Sequence, residues 1–276
     1  MKNKISITIN NKILRDVDSI IDNLFIRNRS QAIEYLLKES LKESKIAVIL
    51  AGESKKMTPG KIRSRYSLKI DHFTIIEKEI HKLEYWGFKT IYIIADHKTL
   101  TSIFKIIGDG TSHNVKIEYI DEENPMGTAA ALKLLKGKIK KTFLVVYCDT
   151  ILDNLNILDF WNHHLREKTT ATILASSTVT SDNDTLFGQL KLEGNKVISY
   201  IEKTASKKFD SSIFSRGIYI FEPEIFSYQG KDLESEIFPE LAKRKVLGGI
   251  ISSANHLHIH THEDLVDVRK KLKLLT

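Results

Sequence analysis

Residues 46–51, Ile46-Ala47-Val48-Ile49-Leu50-Ala51, form an unbroken apolar run between Lys45 and Gly52. A run of that length, closed by a charge on one side and a glycine on the other, reads as a strand buried on both faces, which is the parallel-sheet pattern. Such a strand needs helices above and below it, so the chain is held to an α/β architecture. Gly52 ends the run where, without a side chain in the way, a bound phosphate can approach backbone N–H groups.

Strand and helix patterns alternate through the rest of the chain, as in a doubly wound, mostly parallel sheet. A helix over 73–86 stops at Gly87, a strand covers 90–95, a helix near 101–107 stops at Gly108, and 115–120 is again a strand. Gly127-Thr128 opens a helix, and 142–147 is a central strand ending at Cys148-Asp149. Strands at 171–175, 188–192, 197–202 and 215–221 read as the far half of a cleft, followed by helices at 234–243 and 263–274.

The 276 residues, 42% hydrophobic and 28% charged, suit one large α/β domain with a small appendage. No apolar run approaches the roughly 20 residues that cross a bilayer. A single cysteine, Cys148, excludes an intrachain disulfide, and the expectation is a cytoplasmic protein with no membrane partner. The formal charge of +7 permits nucleic acid or phosphate ligands. Basic residues are concentrated at the start of the chain, where residues 1–45 carry nine basic against six acidic side chains.

That start has its own logic. Residues 4–10 alternate, with Ile5, Ile7 and Ile9 on one face and Lys4, Ser6 and Thr8 on the other, so one half-buried strand is expected. Asn10 or Asn11 caps a helix carrying Ile13, Val17, Ile20, Ile21 and Leu24, and Ser30 caps a second carrying Ala32, Ile33, Leu36, Leu37 and Leu41. A strand and two helices in about 45 residues cannot bury an apolar face alone. Pairing with a second copy solves this and puts Lys4, Ser6 and Thr8 of both chains on one ribbon that fits a major groove. The segment, 1–44, resembles a ribbon-helix-helix DNA-binding module. The resemblance implies a homodimer or higher even oligomer on double-stranded DNA, with Lys4, Ser6 and Thr8 reading bases and Arg29 and Ser30 holding a phosphate.

Residues 45–276 resemble the sugar nucleotidyltransferases. The opening Leu50-Ala51-Gly52 and the later Pro59 follow that family's Leu-Ala-Gly-Gly-x-Gly-Thr-Arg-Leu-x-Pro. Pro125-Met126-Gly127-Thr128-Ala129 resembles its Leu-Gly-Thr-Ala turn, Cys148-Asp149 its Gly-Asp pair, Phe187-Gly188 its Tyr-Gly, Glu202-Lys203 its Glu-Lys-Pro, and Gly217-Ile218-Tyr219 a Gly-Ile-Tyr strand. The resemblance implies a nucleotide site at Leu50, Ala51, Gly52, Lys56, Gly127 and Thr128. It also implies a sugar-phosphate site at Gly188, Glu202 and Lys203, and a divalent metal, magnesium or a transition metal, at Asp149 and His258.

Three parts of that machinery are altered. The glycine loop becomes Gly52-Glu53-Ser54-Lys55-Lys56-Met57, one residue shorter, with Glu53 adding negative charge and Lys56 standing in for the arginine. Tyr66 falls where the lysine of a Pro-Lys pair is expected, with Lys61, Arg63, Arg65 and Lys69 as the nearest cations. His258, within the alternating His256, His258 and His260 and just before His262, takes the place of a second metal-binding aspartate; imidazole suits zinc, iron or nickel better than magnesium. His163-His164 reads as a solvated helix face and Cys148 as a small core residue.

The expected function is a DNA-binding transcriptional regulator whose nucleotidyltransferase-like domain has lost efficient chemistry and senses a nucleotide, sugar phosphate or nucleotide sugar. The alternative is an active sugar-1-phosphate nucleotidyltransferase that also binds DNA.

Overall fold

The computed structural model describes residues 5–42, 45–52, 64–152, 155–177, 188–202, 211–252, 257–258, 265–266 and 268–270. The chain divides into two compact units, Met1–Ser44 and Lys45–Thr276.

In the first unit, α1 (Asn11–Ser19) and α2 (Arg29–Lys42) are the regular elements. Asn10 caps α1, its side chain accepting the Lys12 N–H at 2.8 Å. The expected strand is not formed at residues 5–10, which pair with no other strand among the described residues. Helix α1 stops at Ser19 instead of reaching Leu24. Asp22 Oδ1 accepts the N–H groups of Leu24, Phe25 and Ile26 at 2.8–2.9 Å, a side-chain turn that competes with the helix. The cap of α2 is Asn28, which accepts the Gln31 N–H at 3.0 Å, and Ser30 lies inside the helix.

The second unit contains β1 (Ile46–Leu50), β2 (Lys69–Ile70), β3 (Phe73–Thr74), β4 (Thr90–Ala95), β5 (Lys116–Asp121), β6 (Phe143–Tyr147), β7 (Thr150–Ile151), β8 (Ala171–Ser176), β9 (Gln189–Glu193), β10 (Lys196–Ile201), β11 (Phe214–Phe221), β12 (Leu247–Ile251) and β13 (Leu257–His258). Its helices are α3 (Ile75–Tyr85), α4 (His97–Ile107), α5 (Thr128–Lys133), α6 (Ile157–Glu167) and α7 (Phe238–Lys243). Nine strands make one sheet in the order β5-β4-β1-β6-β11-β8-β12-β10-β9. Among the described residues only β10 and β11 run against the common direction.

β1 is central because both its faces are apolar. Ala47 and Ile49 pack with Ile76, Ile80, Leu83, Phe160 and Trp161 on one side, whereas Val48 and Leu50 pack with Leu132 and Leu135 on the other. The chain leaves β1 for β4 on one side and later returns to β6 on the other, so the topological switch point lies at the carboxyl end of β1. Open α/β sheets bind ligands in the crevice at that point.

Besides the two-residue strands, α6 and β12 are elements for which the sequence pattern gave no range. His163 and His164 sit on α6 and are buried, not solvated, at 7% and 1% exposure. His164 Nδ1 lies 2.7 Å from Thr172 Oγ1 and its Nε2 lies 3.2 Å from Glu222, so polar partners inside the fold replace water. The expected helix at 234–243 is two pieces, a π-helical turn at Leu233–Ile237 followed by α7. No helix among the described residues is long and apolar enough to cross a membrane.

Candidate functional site

The ladder extends past the ends of the central strands and fixes the crevice floor. Ala51 donates to the Ile94 carbonyl at 2.9 Å and Cys148 donates to the Leu50 carbonyl at 3.1 Å. Gly52 and Asp149 are thereby held just beyond the ends of the adjacent strands β1 and β6, at the switch point. Cys148 is buried and reduced, as expected of a small core residue.

Asp149 is 9% exposed and accepts a hydrogen-bonded ion pair from Arg65 Nη1. Arg65 opens a single 3-10 turn, Arg65–Ser67, anchored by Tyr66, which is buried in the core below. Of the four cations near the altered Pro-Lys position, Arg65 is the one whose contact with Asp149 is described. Lys61 and Arg63 lie outside the described residues. β7 follows Asp149 directly and pairs antiparallel with β13, placing the His258 backbone opposite Thr150. The two residues implied as metal ligands, Asp149 and His258, thus come from neighbouring backbone positions. His256, His260 and His262 lie outside the described residues. Among those described, no group of three or more His, Cys, Asp or Glu side chains is arranged to hold a metal ion.

Glu79 of α3 lies behind this floor, 1% exposed, with neither carboxylate oxygen hydrogen-bonded. Burial, and second the charge of Asp149, push its acid well above the usual carboxylate range.

The far wall is a hydrogen-bonded network. Gly127 (φ 129°) packs so tightly that a Cβ would stand 2.4 Å from the Lys231 carbonyl oxygen. Thr128 Oγ1 donates to Glu234 Oε2 at 2.9 Å and accepts the Leu233 N–H at 2.8 Å. The other Glu234 oxygen accepts from the Tyr147 and Tyr219 hydroxyls. Burial raises the Glu234 acid, against hydrogen bonds from Tyr147 and Thr128 that lower it. Ser215 touches the Tyr219 hydroxyl at 3.2 Å and donates its N–H to the Gly188 carbonyl at 2.8 Å. Tyr200 donates to Glu202 at 3.4 Å, directly over Gly188, where a Cβ would meet the tyrosine oxygen at 2.0 Å. Thr128 and Gly188, assigned from sequence to two different subsites, are therefore joined through Glu234, Tyr219 and Ser215, and Tyr200 carries the network on to Glu202. Sequence reading missed these joining residues, because Glu234 looks like one more acid at a helix start; the π-helical turn it occupies is a feature often found at functional sites. Lys56 and Lys203 lie outside the described residues.

The comparisons with known proteins agree with this geometry. A family model described as nucleotidyl transferase matches residues 34–268. The chain belongs to the nucleotidyl transferase family. It is 27% identical over 139 residues to a mannose-1-phosphate guanylyltransferase of Mycobacterium tuberculosis, covering 49% of this chain and 37% of that one. It is 33% identical over 197 residues to the bifunctional protein GlmU of Methanococcus vannielii, covering 69% of this chain and 44% of the relative. The chain thus spans less than half the length of these curated relatives. In fold it resembles HddC from Yersinia pseudotuberculosis, with TM-score 0.66 and 24% identity over 82% of this chain and 99% of that one. The nucleotidyl transferase family accounts for the fold of residues 34–268; the comparisons give no evidence of a ribbon-helix-helix module.

Magnesium is typical of the family. The donor set fits it in one form: a magnesium ion that keeps its waters and its substrate phosphates needs only one or two protein carboxylates, and Asp149 supplies one.

Proposed function

We propose that the body of this chain transfers a nucleotidyl group from a nucleoside triphosphate to a sugar 1-phosphate. The observation that carries this reading is the pairing of Arg65 with Asp149 at the switch point, opposite a wall that links Gly127-Thr128 to Gly188 and Glu202. A phosphate oxygen of the sugar 1-phosphate forms a bond to the α-phosphorus while the bond from that phosphorus to the bridging oxygen of pyrophosphate breaks. Little covalent help is needed for such a displacement; charge neutralisation and in-line positioning are. Arg65 supplies a cation fixed by its own ion pair, and the Glu234 network holds both ligand walls at one separation. Asp149 would hold magnesium, which neutralises developing phosphate charge when bound. Pyrophosphate release over a panel of triphosphates and sugar 1-phosphates tests the reading; binding of both ligands without release would leave a sensor in place of an enzyme.

A second reading concerns residues 1–44. Ile5, Ile7, Ile13, Leu24 and Phe25 are 53–82% exposed, more apolar surface than so small a unit leaves bare by choice. We infer that this unit dimerises as a ribbon-helix-helix module and binds double-stranded DNA, making the protein a regulator that also carries the transferase body. Arg29 is held to Asp18 by two hydrogen bonds of 2.7 and 2.9 Å, so phosphate gripping would have to compete with that pair. Fluorescence anisotropy with the chain's own upstream DNA tests it, since a curve equal to that of random duplex removes the regulatory role.

A further inference from the structure

Helix α3 and the loop leading into β5 bring two histidine rings together at the surface of the second unit. His81 Nε2 lies 3.0 Å from His113 Nδ1. His81 is exposed on α3, and the half-buried His113 closes a 3-10 turn, Thr111–His113. Phe73 stands edge-on to His81, ring centroids 5.1 Å apart, and limits where that ring can swing.

The turn that carries His113 is tightly specified. It begins after Gly110 (φ 87°), where a Cβ would stand 2.6 Å from the Val115 carbonyl oxygen, and ends at Asn114, also left-handed at φ 56°. Asp109 accepts the Thr111 N–H at 3.0 Å. Asn114 Nδ2 donates to Glu84 Oε1 of α3 at 2.9 Å, and Lys89 Nζ donates to that same oxygen at 2.8 Å and to the Asn114 carbonyl at 3.2 Å. The loop is thereby fastened to the helix, and the two imidazoles meet as a preformed pair. Glu77 and Glu84 flank His81 at i−4 and i+3 on the same helix face, so the surroundings of the pair are acidic. Burial, and second the charge of His81, hold His113 below the ordinary imidazole value, so its neutral form prevails at pH 7.

Two nitrogens that each stand about 2.1 Å from one ion at right angles are about 3.0 Å apart, whereas tetrahedral ligands are about 3.4 Å apart. We propose that His81 and His113 form a two-histidine site for a divalent transition-metal ion of square or octahedral preference, nickel(II) or copper(II), with water in its remaining positions. Without an ion the same spacing serves an N–H···N hydrogen bond; to ligate, the ring that holds the bridging proton carries it on its far nitrogen instead. A bound ion staples α3 to the loop that leads into β5.

Calorimetric titration of the full chain, of His81→Gln and of His113→Gln with nickel(II) tests the site. The native chain is expected to show a nickel site that either substitution weakens by about 100-fold, because each removes one of two linked ligands. Nickel should also raise the unfolding temperature of the native chain more than that of either variant. His256, His258, His260 and His262 are present in all three proteins, so nickel binding there appears unchanged in every titration. Identical titrations of the three proteins overturn the site and leave the pair as a hydrogen bond between neutral rings. Weakening in only one variant overturns two-point ligation.

Discussion

Arg65 donates from Nη1 to Oδ2 of Asp149, seating a fixed cation on the acid that follows the central strand β6. Their side chains are 22% and 12% exposed, so water screens the pair only in part. Replacing Arg65 by glutamine leaves Asp149 charged in a recessed position, and a loss of about 1–3 kcal/mol is expected, below the range for fully buried pairs. Asp149→Asn in that background should recover part of the loss, because the charge that Arg65 offset goes with it. Urea unfolding of the four proteins in the cycle measures both terms. In turnover, Asp149→Asn alone should lower pyrophosphate release by about 100-fold or more, in line with the removal of one group that organises transition-state charge.

Glu79 gives the pH dependence. Burial first, then Asp149, push its acid well above the ordinary 4.5. The folded state therefore holds this proton more tightly than the unfolded chain does. Its stabilising effect is complete below the unfolded value and is lost as pH rises through the folded one. The stability advantage of Glu79→Met, of similar length and without the titrating group, should grow by about 1–3 kcal/mol between pH 4 and pH 8. Equal urea midpoints for the two proteins at pH 8 would show that the native carboxyl is solvated in solution. If the methionine variant is more stable yet turns over more slowly, Glu79 is retained for the reaction at the expense of stability.

The sheet was largely readable in the chain because its strands are continuous apolar runs. Thr90–Ala95 reads as one strand at both ends, and β1 and β6 differ from expectation by a single residue. Asp149 and Gly52 could be placed at strand ends for the same reason, as could Gly127 and Thr128 at a turn. Partners chosen by tertiary packing were not readable. Glu234 gains its partners Tyr147 and Tyr219 from 87 and 15 residues away. Local pattern also misplaced His164, since an Asn-His-His-Leu stretch looks polar until Thr172 and Glu222 arrive from elsewhere to satisfy the ring. Capping of α2 went to Asn28 in place of Ser30 because either residue satisfies the same local rule.

Gly188 and Tyr200 offer a paired test of the sugar-phosphate wall. A methyl group at position 188 would overlap the Tyr200 hydroxyl at 2.0 Å and Glu202 Oε2 at 2.9 Å. Gly188→Ala should therefore destabilise by about 1–3 kcal/mol through overpacking and weaken sugar 1-phosphate binding by displacing Glu202. Tyr200→Phe removes the nearer overlapping atom and leaves the ring carbon Cζ at 2.5 Å, so the double variant should recover part of the loss relative to the sum of the two singles. Strict additivity in thermal unfolding would show that the wall opens without strain and that the glycine is not required there.

The first unit makes the last prediction. Ile5 and Ile7 are 73% and 53% exposed, and they share one face of an alternating segment that forms no strand within a single chain. Burying such side chains between two copies contributes about 1.5–3 kcal/mol for each fully covered residue, enough for a few of them to decide association. Ile5→Lys with Ile7→Lys places like charges where that face would pair, and should turn a dimer into a monomer by light scattering. Duplex binding should fall with it, since two copies are needed to present Ser6 and Thr8 together. Pyrophosphate release should stay within about twofold, because the transferase site draws its described residues from 50 onward. If the double variant remains dimeric, association lies in residues 45–276 and the ribbon reading fails. If it becomes monomeric and still binds DNA with native affinity, dimerisation stands but the ribbon is not what touches the duplex.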